Sequence, residues 1–184
     1  MYWILVGLGG YVLLLIYDLA TLAHWPGRTA WAAAGYGLHA VAILAAALGQ
    51  KKLPLPPAGA WFGWPLFAVG ATWLLYSVFF FAPLACTYQA KEGPALTTEG
   101  PYAFSRHPGA LGHAALLGGL ILATRSVLLW RAAWWWIPGN LLYIYVQDRW
   151  LFPRLFPGYP AYRRTTPMLL PNRDSLRRFR ATWP

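Results

Sequence analysis

Residues 97–112 have the sequence TTEGPYAFSRHPGALG and form a polar stretch between runs that are each apolar enough to cross a membrane. Proline is favoured at the first position of a helix, because the N–H that it lacks would have no partner there. Pro108 therefore predicts a helix start, with Arg106 and His107 at its N-terminus. Unpaired backbone N–H groups and the helix dipole favour an anion at such an end. The stretch indicates either a pocket for a carboxylate or phosphate, or a helix cap that contacts lipid headgroups.

The composition around this stretch is that of an integral membrane protein. The 184 residues are 58% hydrophobic and only 11% charged, whereas a soluble domain carries roughly 25% charged residues. Twelve tryptophans and 11 tyrosines fit aromatic belts at the two membrane interfaces. We assign Trp130, Trp134, Trp135 and Trp136 to such a belt.

The apolar runs predict an all-α integral membrane protein with five transmembrane helices. About 20 apolar residues span the hydrocarbon as a helix, and residues 2–22, 31–49 and 61–84 reach that length. Residues 108–146, at about 1.5 Å per residue, are nearly twice as long as a ~30 Å hydrocarbon core. Because Thr124, Arg125, Ser126 and Arg131 interrupt this run, the sequence predicts a tight helical hairpin, which either crosses twice or dips into the membrane and returns.

Basic residues give the predicted orientation. Eleven lysines and arginines lie on the side that carries Arg106 and the C-terminal arginines, and four lie on the other side. By the positive-inside rule, the N-terminus is outside and the C-terminus is cytoplasmic. The net charge of +10 indicates attraction to anionic lipid headgroups rather than to nucleic acid. With no predicted signal peptide, we expect a bacterial or archaeal plasma membrane.

Two separated motifs resemble the superfamily of isoprenylcysteine carboxyl methyltransferases and phospholipid methyltransferases. The first is Gly-Pro-Tyr-x-x-x-Arg-His-Pro, from Gly100 to Pro108, with Gly112 four residues later. The second follows the predicted hairpin and consists of a leucine, two tyrosines and two prolines, which are Leu151, Tyr159, Tyr162, Pro167 and Pro171. The similar region covers residues 94–171, somewhat under half of the chain.

The resemblance implies a membrane methyltransferase that uses S-adenosylmethionine and no metal. The methyl acceptor would be a small or lipidic carboxylate, thiol or amine, and the C-terminal segment would fold over a cytoplasmic cofactor pocket. Catalytic roles would fall on Arg106 and Asp148. Cofactor contacts would fall on the residues that match the family's binding positions: Pro94, Ala95, Leu96, Thr97, Tyr102, His107, Pro108, Gly109, Ala110 and Gln147.

The apolar runs, the similar region and the basic C-terminus together divide the chain into three parts. Residues 1–93 would be a three-span membrane region, residues 94–171 the methyltransferase-like region, and residues 172–184 a basic tail with little order.

Three departures from the family pattern keep other functions open. Ala110 replaces a tyrosine, Gln147 and Asp148 replace paired glutamates, and Tyr143 replaces an arginine that contacts prenylcysteine substrates. The arginine's absence argues against a prenylcysteine carboxylate. One alternative is a non-catalytic membrane scaffold or lipid-binding relative. The other is an NADPH-dependent enzyme similar to sterol reductases, which share a related C-terminal motif but are much longer.

Overall fold

The computed structural model describes residues 1–81 and 96–183, and the regular elements in these ranges are helices. Two π-helical turns, Tyr76–Phe81 and Gln147–Leu151, continue the third and sixth helices. The α-helices are α1 Tyr2–Leu22, α2 Arg28–Ala47, α3 Gly59–Leu75, α4 Pro101–Phe104, α5 Pro108–Thr124, α6 Val127–Val146, α7 Phe152–Leu155, α8 Tyr159–Thr165 and α9 Arg173–Thr182.

Three helices are long and apolar enough to cross a membrane. They are α1 with 21 residues, α2 with 20, and α3 with its π-helical turn, Gly59–Phe81, with 23. The 17 residues of α5 are apolar but fall short of a full span. The predicted membrane class is therefore supported, whereas the predicted fourth and fifth spans within residues 108–146 stay a prediction.

The chain divides into two compact units, the first formed by Met1–Val69 and Ala114–Tyr143. Its core joins side chains of α1, α2, α5 and α6, including Leu14, Ala42, Leu117 and Trp136. The indole N–H of Trp136 donates to the carbonyl of Ile4 at 3.0 Å. Trp136 is fully buried, so its assignment to an aromatic belt was wrong. The belt assignment suits only Trp130, Trp134 and Trp135, which are exposed.

Glycines allow close helix contacts in this unit. Helices in a membrane associate without a hydrophobic driving force, so small residues that let their backbones approach are favoured at the contacts. A Cβ at Gly10 would lie 2.8 Å from the carbonyl oxygen of Gly35, so α1 and α2 touch through their backbones. A Cβ at Gly119 would collide with the backbone of Phe67, and α3 and α5 are equally close there.

A short backbone pairing joins the α2–α3 loop to the break between α5 and α6. The Leu53 N–H donates to the Arg125 carbonyl at 2.6 Å, and the Val127 N–H donates to the Lys51 carbonyl at 3.0 Å. Arg125 has a φ of 54°, in the left-handed region that interrupts a helix. The predicted interruption is therefore confirmed at Thr124 to Ser126, whereas Arg131 lies inside α6.

The second unit comprises Gly70–His113 and Ile144–Pro184. Its C-terminal part is the helix α9, so the expectation of a tail with little order was wrong. Asn172 and Ser175 cap α9 reciprocally, with the Ser175 N–H donating to Asn172 Oδ1 at 2.8 Å. The Phe179 ring packs 5.5 Å from that of Phe104, and the Gly100 N–H donates to Thr182 Oγ1 at 3.0 Å.

Candidate functional site

The two sequence motifs meet at the buried carboxylate of Asp148 in the second unit, which pairs with Arg106 of the first motif and accepts a hydrogen bond from Tyr159 of the second. The Arg106 Nε donates to Asp148 Oδ1 at 2.7 Å, and the Arg106 Nη2 donates to Asp148 Oδ2 at 3.1 Å. This two-point geometry is the strongest form of a guanidinium–carboxylate contact. Arg106 is 8% exposed and Asp148 1% exposed, so both charges are removed from solvent.

Local structure explains why each partner reaches this place. Arg106 lies two residues before α5, whose start at Pro108 was predicted and is confirmed. Asp148 is the second residue of the π-helical turn Gln147–Leu151. A π-helical turn shifts the side chains that follow it around the helix axis, and such turns are frequent at functional sites.

The rest of the Arg106 guanidinium holds the C-terminal segment. Its Nη1 donates to the carbonyl oxygens of Arg163 and Thr166, the first at 3.0 Å. The backbone N–H groups of Arg106 and His107 donate to the carbonyls of Pro167 and Met168 at 3.0 and 3.2 Å. Four of the five guanidinium N–H groups therefore have protein partners.

This saturation limits what Arg106 can offer to a ligand. The sequence left open whether Arg106 helps to bind an external carboxylate or phosphate or caps a helix that contacts lipid headgroups. Instead, Asp148 supplies the anion from within the chain. The pair is close to neutral, and it joins residues that lie 42 positions apart.

A tyrosine donates a further hydrogen bond to the carboxylate. The Tyr159 hydroxyl donates to Asp148 Oδ1 at 2.6 Å. Burial alone would raise the pKa of Asp148, but its contacts with His107, Arg106 and Tyr159 outweigh burial and hold the pKa well below its usual range. Burial and the adjacent carboxylate raise the pKa of Tyr159. At neutral pH the site thus contains a carboxylate and a protonated phenol.

His107 has one ring nitrogen that forms no hydrogen bond with the described residues. Its Nε2 is buried and lies 3.6 Å from Asp148 Oδ1, beyond hydrogen-bond distance. The imidazole stacks on Phe152, with ring centroids 5.7 Å apart and planes 13° apart. Burial lowers the pKa of His107, although Asp148 partly opposes this, so the ring is neutral at pH 7.

Two further tyrosines fix the backbone around the site. The Tyr162 hydroxyl donates to the Tyr102 carbonyl at 2.6 Å, and the Tyr102 hydroxyl donates to the Ser77 carbonyl at 3.2 Å. Gly100 has a φ of 51°, and a Cβ there would collide with the ring of Phe81. The Gly-Pro-Tyr part of the motif therefore has a structural reason for its glycine.

The structure brings together Arg106, His107 and Asp148 of the predicted site. The Tyr102 carbonyl accepts a hydrogen bond from Tyr162, whose ring packs 5.7 Å from that of Tyr159. The remaining predicted cofactor contacts were Pro94 to Thr97, Pro108 to Ala110 and Gln147. Leu96 and Thr97 are half-buried, Pro108 to Ala110 form the first turn of α5, Gln147 is buried beside Asp148, and Pro94 and Ala95 lie outside the described residues.

Sequence reasoning gave no site role to Tyr159 and Tyr162. Their spacing on α8 was a usable signal, because residues three apart share one helix face.

In residues 1–81 and 96–183, no group of three or more histidines, cysteines and acids could hold a metal ion. In comparisons with known proteins, no protein family, curated protein or solved structure matches this chain.

Proposed function

We propose that the protein transfers a methyl group from S-adenosylmethionine to a small or lipidic carboxylate, thiol or amine at the cytoplasmic membrane face. One observation carries the proposal. The first motif supplies Arg106 and the second supplies Tyr159, and both contact the carboxylate of Asp148, which lies 42 residues after Arg106. A chance resemblance would not require its two parts to meet.

The cofactor fits this site in part. The His107 Nε2, which lies 3.6 Å from Asp148 without a hydrogen bond to it, suits a hydrogen bond to the cofactor's methionine moiety, and the buried Gln147 lies next in sequence to Asp148. Arg106 has too few free N–H groups to hold the methionine carboxylate. We therefore assign Arg106 and Asp148 to positioning: Arg106 fixes Asp148, and Asp148 fixes Tyr159 beside His107.

Bound S-adenosylmethionine would supply an electrophilic methyl group to the acceptor. Methyl transfer needs in-line positioning and exclusion of water more than it needs acid or base chemistry. The chain's residues suit those tasks. Asp148 remains a carboxylate and cannot act as an acid at neutral pH. The hydrogen bonds from Tyr159 to Asp148 and from Arg106 to the Arg163 carbonyl hold α8 against the α5 N-terminus.

The proposed topology has five spans, with the last two forming a hairpin and the C-terminus in the cytoplasm. Support comes from the pairing of the α2–α3 loop with the α5–α6 break, because both connections then lie at one membrane face. Lys51, Lys52 and Arg125 lie in these connections, and eight arginines follow α6 on the opposite face.

A non-catalytic scaffold is the second candidate, and a specific observation favours it. Asp148 accepts hydrogen bonds from both Arg106 and Tyr159, as it would in a cluster of three residues that only stabilises the fold. Under this hypothesis, His107 is an inert packing residue against Phe152.

Ligand-dependent thermal unfolding separates the candidates. The detergent-purified protein is titrated with S-adenosylmethionine, S-adenosylhomocysteine and NADPH, each in a separate series. A ligand that binds only the folded state adds roughly 2.7 kcal/mol at about 100 times its dissociation constant. We expect stabilisation by the first two ligands, abolished by His107→Ala. A response to NADPH alone would favour a reductase, and no response to any ligand would favour the scaffold.

A further inference from the structure

A basic groove lies on the C-terminal part of the second unit, outside the methyl-transfer site. Its volume is about 380 Å³, within the range of roughly 300–1,000 Å³ that small-molecule sites occupy. The lining residues come from the π-helical turn, α7 and α8 and are Arg149, Pro153, Pro160, Arg163 and Arg164. None of these residues was predicted to bind the cofactor.

The charge of the groove is not neutralised by its surroundings. None of the lining residues is acidic. The Arg163 Nε lies 4.0 Å from Asp148 Oδ2, but Asp148 is already balanced by its two hydrogen bonds from Arg106. Within residues 1–81 and 96–183, Arg149 and Arg164 form no ion pair. The groove thus presents two unpaired guanidinium groups and a third that is weakly paired.

The backbone and one arginine of the groove are held in place. The Arg163 carbonyl accepts a hydrogen bond from Arg106, and the Tyr162 hydroxyl anchors α8 to Tyr102. The Arg149 guanidinium lies over the Tyr145 ring, 5.6 Å from its centroid. Planar guanidinium groups match the oxygens of a phosphate with two parallel N–H donors. A held groove of this kind loses less side-chain entropy on binding than a flexible basic tail would lose.

The neighbouring surface indicates a membrane interface. Trp150 is 40% exposed, and the Arg154 guanidinium stacks 4.5 Å from its ring centroid. Tryptophan beside arginine is typical of the headgroup level of a bilayer. We infer that the groove binds the phosphate of an anionic glycerophospholipid headgroup, with chemistry that a soluble phosphate ester would share. The inference does not depend on methyl transfer.

Native mass spectrometry of the detergent-purified full chain tests this inference. Phosphatidic acid and phosphatidylcholine are titrated separately, and glycerol 3-phosphate is titrated as the soluble probe. The groove variant carries Arg149→Gln with Arg164→Gln. The matched control carries Arg177→Gln with Arg180→Gln on α9, which changes the net charge equally.

We expect saturable binding of phosphatidic acid over phosphatidylcholine, weakened about tenfold or more in the groove variant and less than twofold in the control. Binding of glycerol 3-phosphate alone, lost in the same variant, would support the phosphate site with a soluble source. Equal weakening in both variants, or no preference for phosphatidic acid, would overturn the inference. If the double variant does not fold, Arg164→Gln alone keeps the test available, because this exposed side chain has no ion pair to lose.

Discussion

The substitution Asp148→Asn gives a quantitative test of the ion pair. Asparagine keeps the shape and one acceptor oxygen, so the contacts with Arg106 Nε and Tyr159 can persist. The amide nitrogen, however, would face Arg106 Nη2, donor against donor, where 3.1 Å now separates donor from acceptor. The Arg106 charge would also remain 92% buried, given its 8% exposure, without an anion.

Removing one partner of a buried ion pair destabilises a protein by about 3–5 kcal/mol. Two carbonyl oxygens still accept from Arg106 Nη1, so we expect a value near the lower end, about 3 kcal/mol. The assay is the free energy of unfolding in mixed micelles, followed by the change in tryptophan fluorescence. Asp174→Asn is the control, because its carboxylate is exposed and lies 4.0 Å from Arg177. The control is expected to stay within about 0.5 kcal/mol of wild type.

A double-mutant cycle identifies the cause of the loss. Arg106→Met with Asp148→Leu removes both charges and leaves neither one buried alone. We expect this pair to be less destabilised than the sum of its single variants, by about 1–3 kcal/mol. A loss of under 1 kcal/mol in Asp148→Asn, or strictly additive effects in the cycle, would refute the argument that the buried charges depend on each other.

Four further outcomes follow from the structure. The pKa of His107 is lowered in the folded state, so stability should fall as pH drops through about 6.5. In His107→Gln, the melting temperature should therefore change less between pH 7.5 and 5.5 than it does in the wild type. The pKa of Asp148 is also lowered, so the carboxylate contributes to stability above about pH 4, and this contribution is lost as the pH falls further. Urea titrations of Asp148→Asn should therefore not show this loss of stability at acid pH. Gly119→Ala should destabilise by about 1–3 kcal/mol through overpacking, whereas Gly37→Ala, whose Cβ would meet no atom within 4 Å, should stabilise by about 0.5–1 kcal/mol in the same unfolding assay. Phe179→Ala should release α9, seen as faster amide hydrogen exchange in residues 173–182 with unchanged exchange in α1.

Much of the helical framework follows from local signals in the sequence. The first predicted run, residues 2–22, coincides with α1, and the second, residues 31–49, differs from α2 by two or three residues at each end. Apolar length decides these helices. Pro108 begins α5 for a local steric reason, and the polar interruption at Thr124 to Ser126 ends it.

The candidate site depends on contacts that no local pattern contains. Arg106 and Asp148 are 42 residues apart, so only the folded chain decides that they pair. Without that partner, Arg106 had the properties of an anion-binding group. The π-helical turn that carries Asp148 has no recognisable sequence period, and nothing in the composition distinguishes buried Trp136 from its exposed neighbours.

The C-terminal helix could have been predicted from the sequence. The high arginine content of α9 suggested a solvated tail. Its apolar residues, Leu176, Phe179 and Trp183, are nevertheless spaced by three and four positions, which is the period of an amphipathic helix. Asn172 and Ser175 also have the spacing of an N-terminal capping box. Charge content and hydrophobic period conflicted here, and the period was the better guide.

Equilibrium binding of labelled S-adenosylmethionine to the full chain in nanodiscs tests the proposed function most directly. We predict saturable binding that S-adenosylhomocysteine displaces, weakened about tenfold or more by His107→Gln and unchanged by Asp174→Asn. The first substitution alters the buried imidazole beside Asp148, and the second alters an exposed carboxylate. Absence of saturable binding, or binding that is equally strong in His107→Gln and wild type, would contradict the assignment of this site to the cofactor.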